Sequence, residues 1–416
     1  MTSIDANVEG PLNKRQLDDA DVAIVGGGMV GISLAVLLAK ENPDLRITLL
    51  ESFPFNPSDY HSSFDARSTA LSAGSREILE RCGLWLPLSE HLTRIRQVHV
   101  SDKGHFGGSV LDAREYGLDA VGYVVENPWL GKVLAGRLEA FQRIRCLAPA
   151  SVSKAQATAR GYCLTVERKG QVQEFNCQLL VLADGVNSQL RGQLGIALDQ
   201  QDYDQSAIIA NIIADRPHAG VAYERFTADG PIALLPLGES DQSHTMALIW
   251  TLPTDRAEAL GHCSDGEFLQ GLQDYFGYRQ GVFQKVGVRH LYPLQLSLAK
   301  EQVRRSLVLM GNAAHSLHPV AGQGFNLALR DCLALSEALG VARGAGLGLH
   351  DPCLLHAYIQ KQAADQRATI QLSDGFVRWF SNSDSAKSLL RNLGLLALDA
   401  LPPAKRLLAW QTMGLG

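Results

Sequence analysis

The chain of 416 residues has few cysteines and pairs none of them closely: the seven stand at 82, 146, 163, 177, 263, 332 and 353. Their scatter excludes a C-x-x-C redox pair and any Cys/His cluster at zinc-ligand spacing, so no metal site is expected. Reduced thiols in a cytoplasmic compartment are the simplest reading. A surplus of basic residues is missing too, because Lys and Arg number 38 against 43 Asp and Glu, a formal charge of -5. That balance gives no footprint for a nucleic-acid partner. Internal repeats and long low-complexity tracts are absent. Residues 1–19 are polar, lack an apolar signal core and read as an N-terminal extension. One uncharged run, Val22 to Ala39, reaches the 18 residues of a membrane-span candidate. Gly26-Gly27-Gly28 divides it into a short buried strand and a helix.

What the chain does contain is three strand–turn motifs far apart in sequence. The first runs from the strand Asp21 to Val25 through Gly26-x-Gly28-x-x-Gly31 into a helix over Met29 to Lys40, then a strand over Arg46 to Leu50. This βαβ unit is the setting of the dinucleotide fingerprint, in which the helix N-terminus holds a pyrophosphate. Glu51, 20 residues beyond Gly31, is placed to accept hydrogen bonds from a ribose. The pattern alone does not separate FAD from NAD. In the second motif, an apolar strand over Gln178 to Leu182 runs into Ala183-Asp184-Gly185. Asp184 either faces the ligand crevice at the strand's C-terminal end or caps the helix that follows. The third is Ser306 to Met310, then Gly311 to Asn326, then a helix from Phe325 to Leu339. Here Gly322-Gln323-Gly324 brings backbone N–H groups and a positive helix end towards something anionic, and Pro319 stiffens the loop. A reduced flavin ring suits such a place.

Between these motifs, alternating segments predict antiparallel strands over 96–101, 207–214, 221–227, 231–237 and 244–251, with Ala228-Asp229-Gly230 as a turn. A discontinuous nucleotide domain (20–95, 119–195 and 285–350) is therefore expected to carry an inserted β-domain (96–118 and 196–284). Residues 351–416 form a C-terminal helical region.

Together the motifs resemble the flavoprotein aromatic hydroxylases of the p-hydroxybenzoate hydroxylase fold. The likeness runs from Asp21 to about Arg330. It implies an α/β fold: a doubly wound FAD-binding domain, an inserted antiparallel β substrate domain and C-terminal helices. More narrowly, His318 to Asn326 with Arg330-Asp331, and Phe64 to Ser72, are similar to segments of the ubiquinone-biosynthesis hydroxylases. Val98 to Gly107, and Glu224 to Thr227 through Leu235-Pro236, resemble the 2-polyprenyl-6-methoxyphenol hydroxylase branch of that group. Asn312 stands where many flavin hydroxylases carry Asp; its amide still reaches a ribityl hydroxyl but brings no charge, and this group often shows Asn. Ala328 replaces a common glycine.

The resemblance implies FAD as cofactor, NAD(P)H as co-substrate, and transfer of one oxygen of O2 from a flavin C4a-hydroperoxide to a polyprenylated phenol. Carried over residue by residue, the cofactor-binding positions are Gly26, Gly28, Gly31, Glu51, Arg67, Asp184, Gly185, Asn312, Pro319, Gly322, Gln323, Gly324 and Asn326. For Arg67 the alternative is a salt bridge at the start of a helix. No catalytic base stands out. His315 and His318 lie beside the loop, where structural hydrogen bonding competes with proton transfer, and Arg225 is either a phenolate attractor or a paired surface arginine. The tail, with Leu393 to Leu398 and Leu407 to Trp410 around Lys405 and Arg406, either packs on the core or touches the inner membrane peripherally. Other ubiquinone-biosynthesis proteins are further candidate partners. Two competing functions stay open: a catalytically silent flavin-binding scaffold, and a prenyl double-bond reductase. Disulfide reductase and flavin halogenase chemistry lack their Cys pair and Trp-x-Trp.

Overall fold

The computed structural model describes residues 15–55, 67–104, 108–238, 240–319, 322–380, 410, 413 and 414. The strand Ala20–Val25 is buried apart from the half-buried Asp21 and forms the middle of a mainly parallel sheet. It pairs with Ile47–Leu50 on one side and with the C-terminal half of Gln171–Leu182 on the other. Leu307–Leu309 continues the sheet beyond Leu182, and Ile144–Leu147 continues it beyond Leu50. Strands buried on both faces read as continuous apolar runs, which is the pattern these segments carry.

The helix Met29–Glu41 lies on one face and packs against Asn127–Leu138 and Gln323–Gly344. Ile32 and every residue from Leu34 to Leu38 in it are fully buried, which explains why the run looked long enough to cross a membrane. Among the described residues no helix is long and apolar enough to do so. The other face is covered by the antiparallel meander Ser151–Thr158, Gly161–Arg168 and Gln171–Leu182, with Tyr162, Leu164 and Phe175 turned into the core.

A second sheet runs in the order 315–316, 290–299, 198–214, 245–253, 232–237, 221–226, 97–102, 108–112. Its outer face, with Trp250, Leu248 and Ile208, is covered by the helices Thr254–His262 and Asp265–Phe276. Two stretches in it exceed what alternation predicts. Leu198–Gln205 is polar, and its strand character comes from pairing with Leu294–Ala299, a partner that a local pattern does not reveal. His290–Ala299 likewise joins this sheet, beyond the boundary expected at 284. A small sheet of Ser68–Ser72, Gly122–Glu126 and Leu92–Ile95 bridges the two. There Ala73, Ile95 and Val124 meet Ala222, Leu237 and Ala247 of the second sheet, and Met413 is buried in the same cluster.

The apolar tail segments Leu393 to Leu398 and Leu407 to Ala409 lie outside the described residues, as does Phe64 to Ala66.

Candidate functional site

Parallel pairing sets Leu182 beside both Val25 and Leu309, so three turns leave the sheet at one edge. Gly26, Ala183-Asp184-Gly185 and Gly311 thereby become neighbours although up to 285 positions separate them. This is the crevice at the carboxyl ends of parallel strands where ligands of open α/β sheets bind.

Gly26 and Gly31 of the first motif each have a steric reason. A Cβ on Gly26 would fall 2.4 Å from the Ala183 carbonyl oxygen, and one on Gly31 would fall 1.8 Å from that of Gly26. Gly28 caps the helix with no side-chain hydrogen bond, so the first-turn amides face the crevice with the dipole's positive end. The Glu51 carboxylate, 4% exposed, accepts the Gly27 N–H at 2.6 Å and the Phe53 N–H at 2.9 Å. Those bonds fix its orientation at the strand's end.

In the second motif Asp184 accepts the Ser188 hydroxyl at 2.7 Å on Oδ2, while Oδ1 is buried with no hydrogen-bond partner. Burial pushes this carboxyl up from its ordinary range, against the Ser188 hydrogen bond. Ser188, not Asp184, caps the following helix, its hydroxyl oxygen accepting the Arg191 N–H. Arg191 is a structural residue that its motif position does not announce. Its guanidinium donates to the Val186 carbonyl at 2.7 Å and to the Ala313 carbonyl at 3.0 Å, tying the second turn to the third.

The third motif closes the crevice. Asn312 is exposed, with no hydrogen-bond partner among the described residues. Gly322, at φ 60, caps the helix Gln323–Gly344 without a side-chain hydrogen bond, and its N–H donates to the Pro319 carbonyl. Gln323 is buried, and a Cβ on Gly324 would meet open space. Asn326 uses its side chain to shape the loop. Its Oδ1 accepts the Ser72 N–H and the Ser75 hydroxyl, and its Nδ2 donates to the carbonyls of Ala70 and Gly322.

The two histidines have different surroundings. His315 Nε2 lies 2.8 Å from Asp331 Oδ2, and Asp331 accepts Gln366 Nε2 on its other oxygen. All three are buried, a clamp between loop and two helices that needs residues 315, 331 and 366 together. His318 packs edge-on against the Tyr203 ring, and burial lowers its imidazole to about 4. Arg67 stacks over Tyr292 of the second sheet, 4.7 Å from the ring centroid, and so spans the two sheets. Arg225 faces away from the crevice, donating to the Tyr275 carbonyl and the Ser101 hydroxyl. It is the paired arginine of the two readings.

The inner face of the second sheet presents Val98, Val100, Ala233, Leu235 and Ile249, all half-buried, and Val98 and Leu235 pack on the cluster that holds Ala73. An apolar sheet face beside such a crevice can hold a ring and exclude water.

A family described as FAD binding domain matches residues 19–373. The ubiquinone hydroxylase UbiL of Rhodospirillum rubrum is 34% identical over 97% of this chain and 92% of its own length. The 3-demethoxyubiquinol 3-hydroxylase of Escherichia coli is 30% identical over 95% of this chain and 98% of its own. The human mitochondrial ubiquinone biosynthesis monooxygenase COQ6 is 30% identical over 92% and 90%. In fold, the chain is similar to p-nitrophenol 4-monooxygenase PnpA from Pseudomonas putida DLL-E4, with a TM-score of 0.77, 17% identity, and 95% and 98% of the two chains covered. The chain belongs to the FAD-binding family of monooxygenases, in its ubiquinone-biosynthesis hydroxylase group.

Proposed function

We propose that this protein is an FAD-dependent monooxygenase that hydroxylates the aromatic ring of a polyprenylated phenol in ubiquinone biosynthesis, using NAD(P)H and O2. The observation that carries the reading is the meeting of three glycine turns at one sheet edge, beside an apolar sheet face. The residues fit FAD. Asp184 Oδ1 is a buried acceptor awaiting a donor, the Gly185 and Gly324 positions face open space, and two long helices begin there without side-chain caps.

The amides from Gly26 to Gly28 would hold the pyrophosphate and Glu51 the adenosine ribose. Asp184 and Asn312 would take hydroxyls of the linker between pyrophosphate and ring, and Arg67 would brace the ring side. When bound, FAD supplies the redox chemistry, taking electrons from NAD(P)H and activating O2 to deliver one oxygen atom. The N-terminal end of the helix Gln323–Gly344 would offer positive potential to the charge that reduction places on the ring; helix-end effects are about 0.3–1 kcal/mol at a surface and larger when partly buried. The sheet face with Leu235 and Ile249 excludes water and holds the phenol. Positioning of this kind lowers barriers by about 7–11 kcal/mol in favourable cases.

The reading includes peripheral membrane contact through the apolar segments between 389 and 410, since a polyprenyl tail partitions into the bilayer, while Met413 is buried in the core. Flotation with vesicles, with and without those segments, tests it: equal binding by both removes the tail from the proposal. For the reaction itself, purified protein is supplied with NAD(P)H, isotopically heavy O2 and a short-chain prenylated phenol. Mass spectrometry should find one heavy oxygen in the ring product. FAD-loaded protein that oxidises NAD(P)H without ever labelling a ring would favour the scaffold or reductase alternatives.

A further inference from the structure

We propose that Glu224 is the base that takes the hydroxyl proton of the bound phenol. The assignment rests on the ring-hydroxylase reading and adds to it the group it lacks. Glu224 lies on Val221–Phe226, in register with Val100 on one side and Ala233 on the other, so its side chain stands on the inner sheet face. Ala222, two residues back and about 6.6 Å along the strand, is buried in the cluster that contains Ala73. Ala73 directly follows Ser72, which Asn326 binds at the start of the loop's helix. Glu224 is thus a carboxylate on the inner face, among the apolar side chains of the wall.

Its surroundings are those of a working acid–base group. Val98, Val100, Ala233 and Leu235 offer it no hydrogen bond, and among the described residues it has no hydrogen-bond or ion-pair partner. A half-buried carboxylate among apolar side chains and without a partner carries part of the cost of burying a charge. Burial raises it to about 7, with no opposing charge in its surroundings. It therefore exists in both protonation states near neutrality, the condition for efficient general-base catalysis.

The charged groups on neighbouring elements are otherwise occupied. Arg225, on the same strand, and His99, on the adjacent one, point to the opposite face, where His99 packs on Tyr223. Asp102 shares the inner face but lies beside Phe226, one step further along. From the nucleotide domain, Arg76 binds Glu80 and Tyr123, and Arg330 binds Asp365. At the far edge His290 pairs in register with Ile209, and Arg67 is stacked on Tyr292.

In the step, the phenol O–H bond breaks and a carboxyl O–H bond forms on Glu224. The electron pair stays on the phenolate oxygen and raises electron density on the ring carbons ortho and para to it, the positions to which oxygen activated by bound FAD would be delivered. No further oxidant or reductant enters.

Wild-type holoenzyme, Glu224→Gln and Glu224→Asp test this with two probes. One is 4-nitrophenol, whose difference spectrum reports its protonation state when bound; the other is a phenol with a single ortho isoprene unit, for turnover. At pH 7, where Glu224 is part ionised, the wild type should bind a larger fraction of the probe as nitrophenolate than Glu224→Gln does. Hydroxylation by Glu224→Gln should fall about 10²–10⁴-fold in kcat with KM within about threefold, and recover as rising pH ionises the phenol. Glu224→Asp should restore part of the rate. Overturning results are a Gln variant with the wild-type pH profile, or one that binds nitrophenolate as the wild type does. If Glu224→Gln loses FAD, the Asp variant decides: an unchanged pH profile sinks the base assignment. A wild type that forms no ring product from the prenylated probe, despite bound and reducible FAD, overturns the hydroxylase reading and the assignment with it.

Discussion

Asn326 and Ser72 are 254 residues apart in sequence, yet the Asn326 amide oxygen accepts the Ser72 backbone N–H at 2.9 Å. The same side chain donates to the carbonyls of Ala70 and Gly322, so one buried amide fixes the glycine loop against the strand Ser68–Ser72. Asn326→Ala strands buried donors and acceptors, each costing about 1–3 kcal/mol. It should lower apo-protein stability by about 2–3 kcal/mol and release FAD. Asn326→Asp should do no better, because a carboxylate accepts but cannot donate to the two carbonyls. Urea midpoints and flavin absorbance check both; wild-type values in Asn326→Asp would mean that the donated bonds do not hold the loop.

His318 gives stability a pH dependence of known sign. Burial lowers its imidazole from 6.5 to about 4. Between those values the unfolded chain binds a proton that the folded chain refuses, so stability rises with pH across the window and is lost as pH falls through it. The contribution is at most about 3 kcal/mol. His318→Phe, which keeps a ring against Tyr203, should flatten this part of the profile. Urea unfolding at the two ends of the window measures it, and an equal slope in variant and wild type would contradict the burial argument.

Legibility in sequence followed the range of the interaction. Gly26 to Gly31 is readable because strand, turn and helix are consecutive and their backbone contacts are local. The adjacency of Asp184-Gly185 and Gly311 needs the pairing of Leu182 with Val25 and Leu309, which the motifs imply only through their resemblance to a known fold. Arg191 lies inside a motif, but its partner carbonyl is 122 residues away, and nothing in the local pattern distinguishes it from a helix-surface arginine. Arg225 and Glu224 are neighbours in one motif. Strand parity turns Arg225 outward and Glu224 inward, and choosing between them requires knowing which face of the sheet meets the crevice.

Arg191 should be intolerant of lysine. The fork bridges two carbonyls, at Val186 and Ala313, whereas a lysine ammonium is a single point on a flexible stem. Arg191→Lys preserves the charge near Asp184 but leaves one carbonyl unpaired, a loss of about 1–3 kcal/mol. The expected outcome is a lower melting temperature and weaker FAD retention together. Loss of neither would show that the second and third turns hold their positions without the bridge.

Gly324 separates the fold from the cofactor. A Cβ there meets nothing within 4 Å, whereas one on Gly31 falls 1.8 Å from the Gly26 carbonyl oxygen. Gly31→Ala should therefore prevent the strand–turn–helix from closing and yield little folded protein. Gly324→Val keeps an allowed backbone at a helix's first turn, and apo-protein stability should change by less than about 1 kcal/mol. On the proposed placement, however, its side chain projects into the space that the flavin ring would occupy. The variant should purify folded and colourless, with circular dichroism unchanged and the flavin absorbance lost. A yellow Gly324→Val protein at full FAD occupancy would place the ring elsewhere.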